Sequence, residues 1–331
     1  MPTWPTGVDV NPQLDPQTAD QLSAAVANRV EQLSAWRPFV TRVMFKAQIK
    51  AHAVAPMFTT LAGPDGQVEA YSLPADGSAP SIPDPATWAT GDNVTPREIV
   101  AITTTTSEFD ADARLIGPIT AGVPEPEREK DRIDPLLAAH LAEALVRKDS
   151  TLFARGAGSN DEPIRGLVHN PNIISRPAGG PISYNALLEQ YWALVDDGRF
   201  PNAAFVSPTA AKRLRQETDG SGDVIFPPGK PMLLDVRREA DGSETAVPVV
   251  PLYGMPSGGP SGTPCALIGD FRHVVTLHRV MPNGKLVGLA SSWIGPDSFS
   301  KDRRTWRVAE RFDIGVAPGS GDNIVKLTFD A

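Results

Sequence analysis

The chain has 331 residues, 41% of them hydrophobic, and a formal charge of −8, enough material to bury a sizeable core in two domains or one elaborated domain. The acidic balance argues against a protein whose main work is to coat phosphates, because such binding draws on clustered Lys and Arg. The single cysteine, Cys265, excludes an internal disulfide and any multi-thiolate metal site.

The opening MPTWPTGVDV has neither a basic nor an apolar leader region, and no stretch approaches the roughly 18 uninterrupted apolar residues of a membrane span, so a soluble chain without a signal peptide is expected. Proline (33) and glycine (28) make up nearly a fifth of the sequence. Long connections are therefore expected, but not disorder, since apolar periodicity recurs throughout.

In chain order, Asp15-Pro16 is a good N-cap and N1 pair, and Leu22, Val26, Val30 and Leu33 follow at helical spacing as far as Trp36. This amphipathic helix, preceded by a proline-containing tail, has little core of its own and packs on something else, in this subunit or a neighbour. Between Gly63 and Thr106 prolines and turn residues separate two strand-like pieces, VEAYSL and EIVAITTTT. So long a stretch without a helix pattern reads as a protruding two-stranded arm.

Asp134-Pro135 opens the longest helix, in which Leu136, Leu137, Leu141, Ala144, Leu145, Leu152 and Phe153 hold one broad face up to Gly156, a length of about 30 Å. Two shorter helices follow. Ser183 caps one that Gly198 closes, and Ser207-Pro208 opens another running to about Glu217. Strands alternate with them: AAFVS, then MLLDVRREADGSETAVPVV with a hairpin signal at Asp241-Gly242. The last third is mainly strand, in HVVTLHRV, KLVGLASSW, TWRVAERFDIGV and NIVKLTF, and no internal repeat is visible.

Residues 266–280, ALIGDFRHVVTLHRV, place Asp270, His273 and His278 close together in sequence. A strand from Arg272 to Val280 points the two histidines to opposite faces, whereas zinc needs ligands converging at about 2.0–2.1 Å. They read as ordinary strand histidines; a metal or acid/base pair would need acidic partners from distant segments. His52, His140 and His169 stand in no HExxH or HxH spacing.

Gly156-Ala157-Gly158 follows a helix instead of opening one, so it is a C-cap and turn, not a phosphate loop. EPEREKDR is a solvated lead-in to the long helix, no GxSxG elbow occurs, and Cys265 has no partner fixed by local spacing. The basic cluster KDRRTWRVAER interleaves Trp306 with arginines. Arginine beside an aromatic can hold single-stranded nucleic acid, but alternation would put Arg303 and Arg307 on one face and Arg304 and Trp306 on the other, which favours an interface or a solvated strand.

The order of these parts resembles the major capsid proteins of tailed bacteriophages. The closing portion carries the resemblance best: ALIGDF runs into a strand with Arg279, a turn at Pro282-Asn283-Gly284, then RVAERFDIGVAPGSGDNIVKL. In the middle, LAEALVRKDSTLFARGAGSNDEPIRGLV is similar to that family's long helix and following glycine turn.

The resemblance implies an α+β fold of the Hong Kong 97 type. It would have an N-terminal arm (1–37), an extended β-hairpin loop (66–107), a peripheral domain (38–65, 108–168 and 270–315) with a spine helix at about 133–155, and an axial domain of mixed sheet and helices (169–269 and 316–331). It implies self-assembly through pentamers and hexamers into an icosahedral shell that encloses double-stranded DNA without sequence reading, in a virion built in the host cytoplasm. Separate scaffolding, portal and decoration proteins are the further partners; no enzyme activity, cofactor, metal or membrane is expected. Trp88, Arg97, Arg303, Arg304, Trp306 and Arg307 are the expected intersubunit contacts.

Some relatives weld neighbouring subunits through a lysine of the extended loop. This sequence has no lysine between Lys50 and Lys130, and Arg97 cannot substitute in that chemistry, so no such cross-link is expected. An encapsulin-type nanocompartment is the alternative of the same architecture. A soluble hydrolase or metal-dependent enzyme is the alternative of another class; under the capsid reading, replacing His273 and His278 by alanine should leave assembly largely intact.

Overall fold

The apolar spacing of the first helix is realised in α1 (Pro16–Leu33), where Val26 and Val30 are fully buried and Ser23 donates its hydroxyl to the Val287 carbonyl at 2.5 Å. The structure is a computed structural model and describes residues 16–46, 55–58, 90–94, 96–106, 134–159, 162, 164–238, 244–257, 262–280, 287–292, 303–316 and 321–329. The expected N-cap Asp15, the strand-like piece 68–73 and the hairpin turn Asp241-Gly242 lie outside the described residues.

After α1 come β1 (Thr41–Lys46), β2 (Ala55–Phe58), β3 (Thr90–Val94), β4 (Arg97–Thr106) and α2 (Asp134–Arg155), the expected spine helix. Then follow β5 (Ile174–Pro177), α3 (Tyr184–Asp196), β6 (Ala203–Val206), α4 (Pro208–Leu214), β7 (Leu233–Arg238), β8 (Glu244–Pro251), β9 (Pro264–Gly269), β10 (Val274–Val280), β11 (Val287–Ser292), β12 (Arg303–Val316) and β13 (Ile324–Thr328). The fold is α+β, with two mixed sheets and a separate β2–β3 pair among the described residues.

The first sheet is organised by the 14-residue strand β12. β4 runs antiparallel to it over ten residue pairs, Arg303↔Thr106 to Phe312↔Arg97. On its other side β10 covers the C-terminal half, with β1 parallel beyond it, and β11 covers the N-terminal half. This corrects the expectation for EIVAITTTT: among the described residues its partner is β12. The cause is its alternation, which sends Ile99, Ala101 and Thr105 into the core beneath the sheet. Ala55↔Val94 begins the antiparallel β2–β3 pair.

The second sheet has the order β5-β13-β9-β6-β8-β7, and its central strands are buried on both faces, which is why they read as continuous apolar runs. In β6, Ala203 and Phe205 face a core shared with α1, α2 and the first sheet, while Ala204 and Val206 face a second core built with α3 and α4. Phe205 makes edge contacts with Phe39, Phe153 and Phe271, which ties the sheets together.

The short helices are capped as expected, Ser183 Oγ accepting from the Ala186 amide at 3.2 Å and Ser207 Oγ from the Ala210 amide at 3.1 Å. α4 ends at Leu214, short of Glu217, because the chain tightens into three-residue turns, Gln216 N–H to Arg213 O and Glu217 N–H to Leu214 O. After α2, Gly156 and Gly166 let two backbones touch: a Cβ on Gly156 would lie 2.3 Å from Ile164 O, and one on Gly166 2.4 Å from Gly156 N. The glycine turn is therefore a packing device.

Candidate functional site

Two sequence positions interrupt otherwise apolar patterns. Asp149 falls on the α2 stripe between Leu145 and Leu152, and Glu310 falls on the inward face of β12 between Val308 and Phe312; both are fully buried. Arg37, in a short turn just after α1, satisfies them together. Its Nη2 donates to Asp149 Oδ2 at 3.0 Å and to Glu310 Oε1 at 2.7 Å, while Nη1 donates to Glu31 Oε1 at 2.8 Å. Glu31 also receives Arg42, at 2.6 Å. Behind Glu310, His278 of β10 lies with Nδ1 3.3 Å from Oε1 and Nε2 3.2 Å from Thr276 Oγ1.

The planar fork of one guanidinium thus joins α1, α2 and β12. Trp36 beside it stacks on Phe153 with ring centroids 4.3 Å apart. Burial disfavours charge on Arg37, but Asp149, Glu310 and Glu31 outweigh that and hold it protonated well above its ordinary range. For Asp149 burial wins: against the pull of Arg37, and with the Glu310 charge nearby, its carboxyl is pushed up to about 7. For Glu310 burial is outweighed by Arg37 and His278, which hold it below the usual carboxylate range. Asp149 Oδ1 and Glu310 Oε2 have no hydrogen-bond partner among the described residues.

This cluster is sealed from solvent, with Arg37, Asp149, Glu310 and His278 side chains at most 2% exposed. It works as a three-way tie. The strand read from Arg272 begins at Val274, so His273 sits in the preceding turn, 42% exposed and 3.7 Å from Asp270 Oδ2, and does not converge with His278. Because His278 is buried, its replacement by alanine is a stability change and not a silent one. Among the described residues no group of three or more His, Cys, Asp and Glu is placed to hold a metal ion, and no helix is long and apolar enough to cross a membrane.

The outer face of the first sheet is the candidate contact surface. Val100 and Ile102 of β4 are exposed, Ile102 at 64%. Beside them Glu98 pairs with Arg307 and, at 2.6 Å, with Arg311. Partial burial would raise the Glu98 carboxyl, but Arg311 and then Arg307 outweigh it and hold it below the usual range. Val43 and Met44 of β1 are also exposed.

Of the expected contacts, Arg97 opens β4 on the surface and Arg307 faces outward. Arg303 and Arg304 open β12 opposite Thr106 and Thr105, and Trp88 lies outside the described residues. Trp306 is corrected: strand alternation turns it inward, 3% exposed, where its Nε1–H donates to Thr105 Oγ1 at 2.9 Å. Its indole belongs to the core of its own subunit.

A profile of the phage capsid family matches residues 131–327, more than half of the chain, from just ahead of the spine helix to the last strand. The chain belongs to the phage capsid family.

Solved structures agree with this phage capsid assignment at the level of fold. "Capsid of native GTA particle computed with C5 symmetry" is 16% identical with a TM-score of 0.53, over 90% of this chain and 97% of that chain. Gordonia phage Cozz gives 12% and 0.52 over 90% and 87%, and Mycobacterium phage Cain 16% and 0.51 over 90% of each. A comparison with curated proteins gives no match. In this member of the phage capsid family α1, α2 and β12 are held together by one buried arginine.

Proposed function

We propose that this capsid protein is the wall subunit of an icosahedral shell of a tailed phage or prophage, in which copies form pentamers and hexamers around double-stranded DNA. The observation that carries the proposal is the alignment of 90% of this chain with 97% of a chain from a GTA particle capsid. A likeness of that extent leaves little of the subunit for another purpose. The exposed apolar residues Val100 and Ile102 beside arginines fit a surface covered in an assembly.

Closed symmetry repeats every interface, so modest contacts per subunit suffice. The net charge of −8 suits a wall that encloses DNA without gripping it. Arm, extended loop, peripheral domain and axial domain are proposed with the boundaries given above, except that residues 97–106 of the loop belong to the first sheet as β4. Trp88, Arg97, Arg303, Arg304 and Arg307 remain the proposed intersubunit contacts. The subunit has no catalytic role and belongs to the virion, assembled in the host cytoplasm with separate scaffolding, portal and decoration proteins.

Electron microscopy of the expressed chain after size-exclusion chromatography, with nucleic-acid absorbance read on the same fraction, tests this. Closed shells or rings of five or six are expected. A compact monomer or dimer under all assembly conditions would overturn it, and shells that carry a co-purifying enzyme instead of nucleic acid would replace it with the nanocompartment reading.

A further inference from the structure

Next to α4 lies a groove of about 390 Å³ whose floor is apolar, made by Ile182, Ala210 and Phe329, and whose rim carries Lys212 and Arg213. Both cations are exposed and neither forms an ion pair within the described chain. Immediately after this helix the chain makes a small, tightly built loop with the opposite character. Asp219 Oδ1 accepts the amides of Ser221 at 2.8 Å and Asp223 at 3.0 Å, Asp219 N–H donates to Asp223 O at 2.8 Å, and Thr218 bridges to Val224. The loop is exposed throughout and ends in Val224, an apolar side chain 40% exposed beside the Asp223 carboxylate.

We propose that the Asp219–Val224 loop of one copy docks in the Lys212/Arg213 groove of the next copy around a ring. Val224 covers the apolar floor, and Asp223 and the free oxygen of Asp219 meet Lys212 and Arg213. The inference rests on the shell reading above, because a ring closes through head-to-tail contact between two different patches of the same chain. The two patches are complementary in charge and in apolar content. A second copy supplies one loop for each groove, and supplies the apolar tip that a phosphate backbone lacks. Because the loop is held by its own hydrogen bonds, little ordering is needed on docking.

The test uses the full chain. In R213C/D223C, treatment of the assembled fraction with a short bismaleimide should give a covalent ladder reaching five and six subunits, while R213C alone and D223C alone remain monomeric on a denaturing gel. The natural Cys265 is buried and should not interfere. Independently, D223K, which faces like charge across the contact, should raise the concentration needed for ring formation by about tenfold or more, and K212E in the same chain should reverse most of that loss. Shells that form as readily with D223K as without it, and that give no ladder, would overturn this contact and leave the shell reading intact. A natural chain that forms neither rings nor shells would overturn the shell reading itself, and the contact with it.

Discussion

Replacing Arg37 with alanine leaves Asp149 and Glu310 facing each other in a space sealed from water. Removing one partner of a buried charge network costs about 3–5 kcal/mol, so urea unfolding of R37A should show a loss of that size. R37K should recover only part of it, since a compact ammonium cannot fork between helix and strand. The same cluster sets a pH dependence. The Asp149 carboxyl, raised by burial from its ordinary 3.8 to about 7, contributes stability that is intact below the ordinary value and lost as pH rises through about 7. Glu310, held low, behaves oppositely, its contribution being lost only as pH falls below the carboxylate range. The urea midpoint should therefore fall between about pH 5 and about pH 8, and D149N should flatten that fall. Arg37, Glu31, Glu310 and His278 stay in place in both proteins, so the difference between the two slopes isolates Asp149.

At the scale of elements, the turn after α2 makes a sharp prediction. G156A or G166A forces a methyl group into backbone at 2.3–2.4 Å, and thermal unfolding should show a loss of at least about 1–3 kcal/mol. G220A, which meets nothing nearby, should stay within about 0.5 kcal/mol. The helices were legible in the sequence because their periodicity and caps are local: Ser183, Ser207 and the Leu141–Leu145 stripe each announce themselves. The pairing of β4 with β12 was not, since strand partners about 200 residues apart leave no local trace. β1, β5 and β9 leave little trace in the sequence for a related reason, being short runs without alternation or turn signals at both ends. The buried tie had a readable signal, a carboxylate in an apolar stripe at Asp149 and another in an apolar alternation at Glu310. Only the fold could show that one arginine answers both.

For the whole molecule, the absence of lysine between Lys50 and Lys130 predicts that assembled shells boiled in detergent run as a single monomer band; a ladder of covalent multimers would contradict this. Stability of the assembly must then come from non-covalent contacts and from the stiffness of each subunit. β12 bears on that stiffness. It is hydrogen-bonded to β4 over ten residue pairs on one side and to β10 and β11 on the other, and it is pinned to α2 from beneath through Glu310 and Arg37. Tension applied along such a strand loads its hydrogen bonds in shear, all at once, whereas tension across it would peel them one by one. A wall panel with this grain resists stretching along one direction and yields along the other, and that anisotropy is set inside the single subunit before any neighbour arrives.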